Sequence, residues 1–141
     1  MNYKTLFFKI LIILFVFSCS RSFNRKAADY ENVRKFWEMI LEAMESKSID
    51  FLIANSTDKV QCGNCRISSI ISEWYNVEEI YNSHFEEIKP PIEQDYGISY
   101  DPNENNYKVS YLMKGDKKYN DFYVIVKDGE NLKFQGMFSV P

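Results

Sequence analysis

The sequence predicts an α+β fold in which amino-terminal helices pack on a curved antiparallel sheet of four or more strands. Two periodicities and a set of turn signals predict it. Apolar residues recur at three- and four-residue steps between Asp29 and Ile88, then at every second position from Tyr96 onward, and the second region is punctuated by hairpin chemistry.

The first element begins at Asp29, a suitable cap. Tyr30, Val33, Trp37, Ile40, Leu41 and Met44 form one stripe, opposed by Glu31, Arg34, Lys35, Glu38, Glu42 and Glu45. This is an amphipathic helix of about four turns. A second, short helix runs from Ser48 or Ile49 to Ala54, with Phe51, Leu52 and Ile53 turned inward and Asn55-Ser56 ending it. The piece Ile67 to Tyr75 fits a helix through Ile67, Ile70, Ile71, Trp74 and Tyr75, although a short isoleucine-rich run fits a strand as well. Val77, Ile80, Tyr81, His84, Phe85 and Ile88 make a further helical stripe opposed by Glu78, Glu79, Glu86 and Glu87. Pro90-Pro91 stops it, because proline lacks the amide hydrogen a helix needs.

Four strands follow. Their inward faces read as Tyr96, Ile98 and Tyr100; Tyr107, Val109, Tyr111 and Met113; Phe122, Val124 and Val126; and Leu132, Phe134 and Phe138. Asp101-Pro102-Asn103, Gly115-Asp116 and Asp128-Gly129 separate them as turns, giving an antiparallel meander.

Ahead of the helices stands an apolar leader. A membrane-crossing helix needs about 20 apolar residues, whereas the uninterrupted run here is Ile10 to Phe17. Lys4, the apolar stretch Leu6 to Phe17 and the small residue Ser18 have instead the layout of a secretory signal. Val16-Phe17-Ser18-Cys19 resembles the lipobox of bacterial lipoproteins, with a bulkier residue at Phe17 than that family usually carries. The resemblance implies cleavage before Cys19, a thioether-linked diacylglyceride on its sulfur, and a linker from Ser20 to Ala28. It also implies attachment to a membrane surface without crossing it, since stable anchoring takes two or more acyl chains. Ser20 after the cysteine favours, by the same resemblance, the outer membrane of a cell with two membranes. An ordinary signal cut elsewhere, with Cys19 incidental, remains the plain alternative.

The expected organisation is a signal peptide at 1–18, a lipidated cysteine and linker at 19–28, and one α+β domain at 29–141. Loss of residues 1–18 leaves 123 of the 141 residues, enough for a core of its own. It also takes Lys4 and Lys9 away, moving the net charge from −3 to −5. That balance argues against a nucleic-acid partner and against a polybasic membrane patch.

The order of elements, with the stretches "YENVRKFWEMILEAMESKSIDFLIA", "NVEEIYNSHFEEI" and "NYKVSYLMKG…DFYVIVKDGENLKFQGMF", resembles the nuclear-transport-factor-two-like superfamily, with its polyketide-cyclase-like and ketosteroid-isomerase-like members. The resemblance spans about residues 29 to 139. It implies three helices lying across a bent sheet, forming a cone whose mouth often holds an apolar ligand. Between Thr57 and Tyr75, where that superfamily carries a strand or hairpin, this reading finds Cys62-Gly63-Asn64-Cys65 and a helix-compatible piece.

Few residues carry a recognisable chemistry. Cys62 and Cys65 form a Cys-x-x-Cys pair. At a helix start its first thiol would be held as a thiolate for disulfide exchange, with Cys62 attacking and Cys65 resolving. Only Lys59-Val60-Gln61 is available as a preceding strand, so the simpler reading is a structural bridge outside the cytoplasm. No metal is expected, because a structural zinc site needs four ligands and the chain adds only His84 and carboxylates. The carboxylates Glu78, Glu79, Glu86 and Glu87 read as a solvated face. Trp37, Tyr81, His84 and Tyr111 are the candidate pocket residues. His84, the only histidine, could serve there as an acid or base.

No catalytic residues are assigned and no cofactor is implied. The expectation is a membrane-anchored extracytoplasmic lipoprotein serving as a non-enzymatic binding or accessory module of the cell envelope, for a small apolar ligand or an envelope protein. Two enzyme readings stay open: an isomerase or cyclase with a pocket near His84, and a thiol-disulfide oxidoreductase using Cys62.

Overall fold

A computed structural model describes residues 29–63, 65, 73–91, 95–111 and 120–140. The chain divides into two compact units, Met1–Asn32 and Val33–Pro141. Of the first, only residues 29–32 are described, and they are helical. The leader, Cys19, the linker, Met113 and the Gly115-Asp116 turn lie outside the described residues. Among those described, no helix is long and apolar enough to cross a membrane.

Helix α1 covers residues 29–45. Val33, Phe36, Trp37, Ile40, Ala43 and Met44 are buried on its inner face, in the spacing that the sequence predicts, with Phe36 and Ala43 widening the stripe. The helix ends in a tight reversal. The Ser48 amide donates to the Ala43 carbonyl at 2.8 Å, and between them Lys47 adopts a positive φ of 54°. Such a left-handed residue after a helix satisfies its last carbonyls and turns the chain back. Helix α2 (Ile49–Ala54) follows at once, with Leu52 buried.

Strands β1 (Ser56–Cys62) and β2 (Glu73–Asn76) form an antiparallel pair. Trp74 and Tyr75 therefore lie in a strand and not in the helix that the sequence permits for this piece; residues 66–72 lie outside the described set. The periodicity of so short an apolar run is ambiguous. Aromatic residues favour the pleated surface, and pairing of Val60 with Tyr75 and of Gln61 with Trp74 decides the matter.

Asn76 then starts a helix, its side chain accepting from the Glu78 amide at 2.9 Å. The predicted single helix from Val77 to Ile88 is two pieces, α3 (Val77–Ser83) and α4 (Phe85–Ile88). His84 breaks it with φ −129° and ψ 25°, following Asn82 and Ser83, which are weak helix formers. Lys89 is extended, as a residue before proline tends to be.

Strands β3 (Tyr96–Asp101), β4 (Asn106–Tyr111), β5 (Asn120–Asp128) and β6 (Asn131–Val140) form the predicted meander. The turns work as their residues dictate. Asp101 accepts from the amides of Asn103 and Glu104, and Gly129 supplies the positive φ of 62° at the β5–β6 hairpin.

The sheet has six strands in the order β2-β1-β6-β5-β4-β3. It is mixed rather than wholly antiparallel, because β1 runs parallel to β6. Helices and an open mixed sheet make the fold α+β, with the core on the helix-covered face.

Two inward faces differ from expectation. In β5 Tyr123 and Ile125 belong to the core cluster and Phe122, Val124 and Val126 do not, although Val124 is buried as well. The run from Phe122 to Val126 is apolar throughout and carries no alternation. Pairing with Val109 and Tyr107 of β4 selects the phase. In β6 both Phe134 and Met137 belong to the core, three positions apart, so Phe138 lies on the opposite face from Phe134. An irregularity in the pairing with β1 and β5 inserts the extra residue.

Gly136 sits at that irregularity with φ 128°. A Cβ placed there would overlap the backbone of Gln61. The close approach of β1 to β6 thus requires glycine at this position. Gly136→Ala should cost at least about 2 kcal/mol in urea denaturation. Gly97→Ala, whose Cβ would meet nothing within 4 Å, should stay within about 0.5 kcal/mol of the parent.

Candidate functional site

Among the described residues, aromatic side chains pack together on the helix-covered face of the sheet. Trp37 is fully buried. Its ring centroid lies 5.2 Å from that of Tyr123, 6.0 Å from Phe134 and 6.5 Å from both Tyr96 and Tyr111. Its indole N–H donates to the Tyr111 hydroxyl at 3.2 Å. A buried indole N–H without an acceptor would cost about 1–3 kcal/mol, so this bond is a condition of burying the ring.

Of the four residues predicted to share a pocket, Trp37, Tyr81 and Tyr111 belong to one buried core cluster and His84 is partly buried. Trp37 and Tyr111 meet in the aromatic interior. Tyr81, on α3, is buried and its hydroxyl lies 2.7 Å from Ser56 Oγ on β1, where either group can donate. His84 stands at the α3–α4 break, with its ring 4.8 Å from that of Tyr75 and its side chain one quarter exposed. Its Nδ1 lies 3.7 Å from a Glu87 carboxylate oxygen, beyond hydrogen-bonding distance.

Near the same end the sulfurs of Cys62 and Cys65 lie within disulfide-bonding distance, with Cα atoms 5.4 Å apart. Both residues are buried. The Tyr75 hydroxyl donates to the Cys65 carbonyl at 3.0 Å, and the Gly63 amide donates to the Met137 carbonyl at 2.9 Å. These contacts tie the turn to β2 on one side and to β6 on the other. Thiol exchange requires an accessible sulfur, and burial favours a stapling role. Among the described residues no group of three or more His, Cys, Asp or Glu side chains is placed to hold a metal.

Two surface features were not singled out by sequence pattern. On the outer face of the sheet, Trp74 is half exposed and meets Phe138 edge-on at 6.2 Å. Phe138 stacks on Phe122 at 5.6 Å, and the Lys108 ammonium stands 5.3 Å from the Phe122 ring centre. The second feature is an open groove of about 320 Å³ between α1 and α2, lined by Met39, Glu42, Ala43, Ser46, Ser48 and Phe51. Met39 is 46% exposed. It was the readable signal for this groove, an apolar residue out of phase with the stripe and set between Glu38 and Glu42.

Comparison with known proteins returns no matching family model, no similar curated protein and no similar solved structure.

The buried hydroxyls set an alkaline limit. Burial pushes Tyr81 far above the ordinary tyrosine range, and its bond to Ser56 offsets this only in part. Burial likewise pushes Tyr111 up to about 12, with the bond from Trp37 pulling the other way. An unfolded chain loses these protons near pH 10, while the folded chain retains them. The associated stability is therefore complete below about pH 10 and is lost as pH rises toward 12. Denaturation midpoints should fall between pH 9 and pH 11. Tyr111→Phe should flatten part of that fall, while costing about 1–2 kcal/mol at pH 7 because Trp37 loses its acceptor.

Replacing Cys62 and Cys65 together by serine should lower stability by about 2 kcal/mol. Near-ultraviolet circular dichroism should still report the parent aromatic packing.

Proposed function

We propose that this chain is a lipid-anchored extracytoplasmic lipoprotein, held by acyl chains on Cys19, whose domain is a non-enzymatic binding or accessory module of the cell envelope. The observation that carries the reading is the order Val16-Phe17-Ser18-Cys19 at the close of an apolar run, followed at once by polar sequence. Cys62 and Cys65 at bonding distance support it, since such pairs persist in oxidising compartments and are rare in the cytosol.

The resemblance to the nuclear-transport-factor-two-like superfamily supports the reading of the domain. Strands β1 and β2 form a hairpin in the place where that superfamily carries a strand or hairpin, and three helical regions precede the four-stranded meander. The aromatic interior supports recognition through the surface: Trp37 and Tyr111 occupy one another's hydrogen-bonding groups. His84 has its described contacts with Tyr75 and Glu87 at the helix break.

The intact mass of the native membrane form tests the anchor. It should correspond to a chain beginning at Cys19 and carrying two or three acyl chains, and Cys19→Ala should yield a protein without the lipid mass. A native form that retains residues 1–18, or that carries a bare thiol at Cys19, overturns the proposal.

A further inference from the structure

We propose that the groove between α1 and α2 docks an amphipathic helix of a partner protein, one that sets an apolar side chain over Ala43 and directs lysine or arginine toward Glu42. The inference deepens the reading of the domain as a binding module and rests on it. Its test is independent of the lipid on Cys19, so either can fail alone.

Size and shape argue for a side chain rather than a whole small molecule. At about 320 Å³ the groove lies at the lower end of ligand pockets, and it is open along its length. Ala43, Met39 and Phe51 make the apolar part of its lining, and Glu42, Ser46 and Ser48 the polar part. Ala43 is buried and small, which leaves the depth. Met39 is exposed on a helix whose other described large apolar side chains from Val33 onward pack inward. An unbranched thioether reshapes itself around an incoming side chain at low cost, which is the use binding surfaces make of methionine. The groove is bounded by two helical segments and their connecting turn, a shape that receives a helix through one or two anchoring residues.

Charge fixes the partner's chemistry. Glu42 lines the groove, and Glu38 and Glu45 stand one helical turn to either side of it. Neither Glu42 nor Glu45 has an ion-pair partner among the described residues. Lys47, the nearby base, is committed to Glu86 at 3.1 Å and stands 5.5 Å from the Phe85 ring centre. Apolar side chains beside unpaired carboxylates complement a helix with an apolar ridge and basic flanks, and they repel an acidic one.

The experiment uses the full chain in detergent, labelled with carbon-13 at the methionine methyl groups. Three synthetic 14-residue peptides are the probes: leucines at helical spacing with lysines elsewhere, the same leucines with glutamates, and the lysine peptide with its leucines scrambled out of helical spacing. The lysine peptide should shift the Met39 methyl resonance saturably. Met44 and Met137, both buried in the core, should hold still and report an intact fold. Glu42→Lys should weaken binding at least about fivefold, and Met39→Gln should also weaken it, as read from peptide anisotropy. The inference is overturned if Met39 does not move, if the glutamate or scrambled peptide moves it equally, or if Glu42→Lys leaves the affinity unchanged.

Discussion

Trp37 brings the largest apolar surface in α1 to the sheet and also brings an N–H that has to be satisfied out of water. Tyr111, on β4, provides the acceptor, and rings from β3, β4, β5 and β6 surround the indole. One helical side chain thus touches four of the six strands. The position of the helix over the sheet follows from it, since sliding α1 by a turn would both open a void and orphan a donor. Tyr81 repeats the arrangement on a smaller scale, joining α3 to β1 through Ser56. The helical layer is fastened to the sheet by two aromatic residues whose polar ends meet partners on strands.

Much of this was readable in the sequence, and the limits have identifiable causes. The stripe of α1 and the alternation of β3 and β4 were legible because each has a strong single period, and the turn residues marked off β5 and β6. Where periodicity was missing the reading failed: Phe122 to Val126 is apolar at every position, and only pairing across to β4 chooses which residues point inward. Gly136 concealed the second error, because one extra residue at a strand irregularity exchanges the faces of everything beyond it. The parallel neighbour relation of β1 and β6 joins segments more than seventy residues apart and leaves no local trace. The helix break at His84 falls within an apolar stripe that keeps its period across it, and only the weak helix formers Asn82 and Ser83 mark the place.

The candidate residues were less legible than the fold. Trp37, Tyr81 and Tyr111 were named as pocket candidates, and their polar groups make hydrogen bonds inside the molecule. A tyrosine hydroxyl that closes a core contact and one that lines a ligand mouth look alike in sequence, and only the partner atom distinguishes them. Met39 was visible as an apolar letter on a polar helix face. Its meaning depended on Phe51 and Ser48 arriving beside it through the reversal at Lys47. Cys62 and Cys65 were the most legible pair, because a separation of three residues restricts what two cysteines can do.

The two margins of the sheet differ in a way that bears on self-association. Among the described residues, β2 forms this margin over the four residues Glu73–Asn76 before the chain enters α3, so a second chain finds little described backbone there to pair with. Strand β3 presents six residues, and its far end is occupied by the Asp101–Lys108 ion pair at 2.8 Å and by the turn that Asp101 caps. Pairing at that margin would bring a neighbouring chain alongside fixed charges. A short described margin on one side and fixed charges on the other discourage strand exchange between copies of the chain.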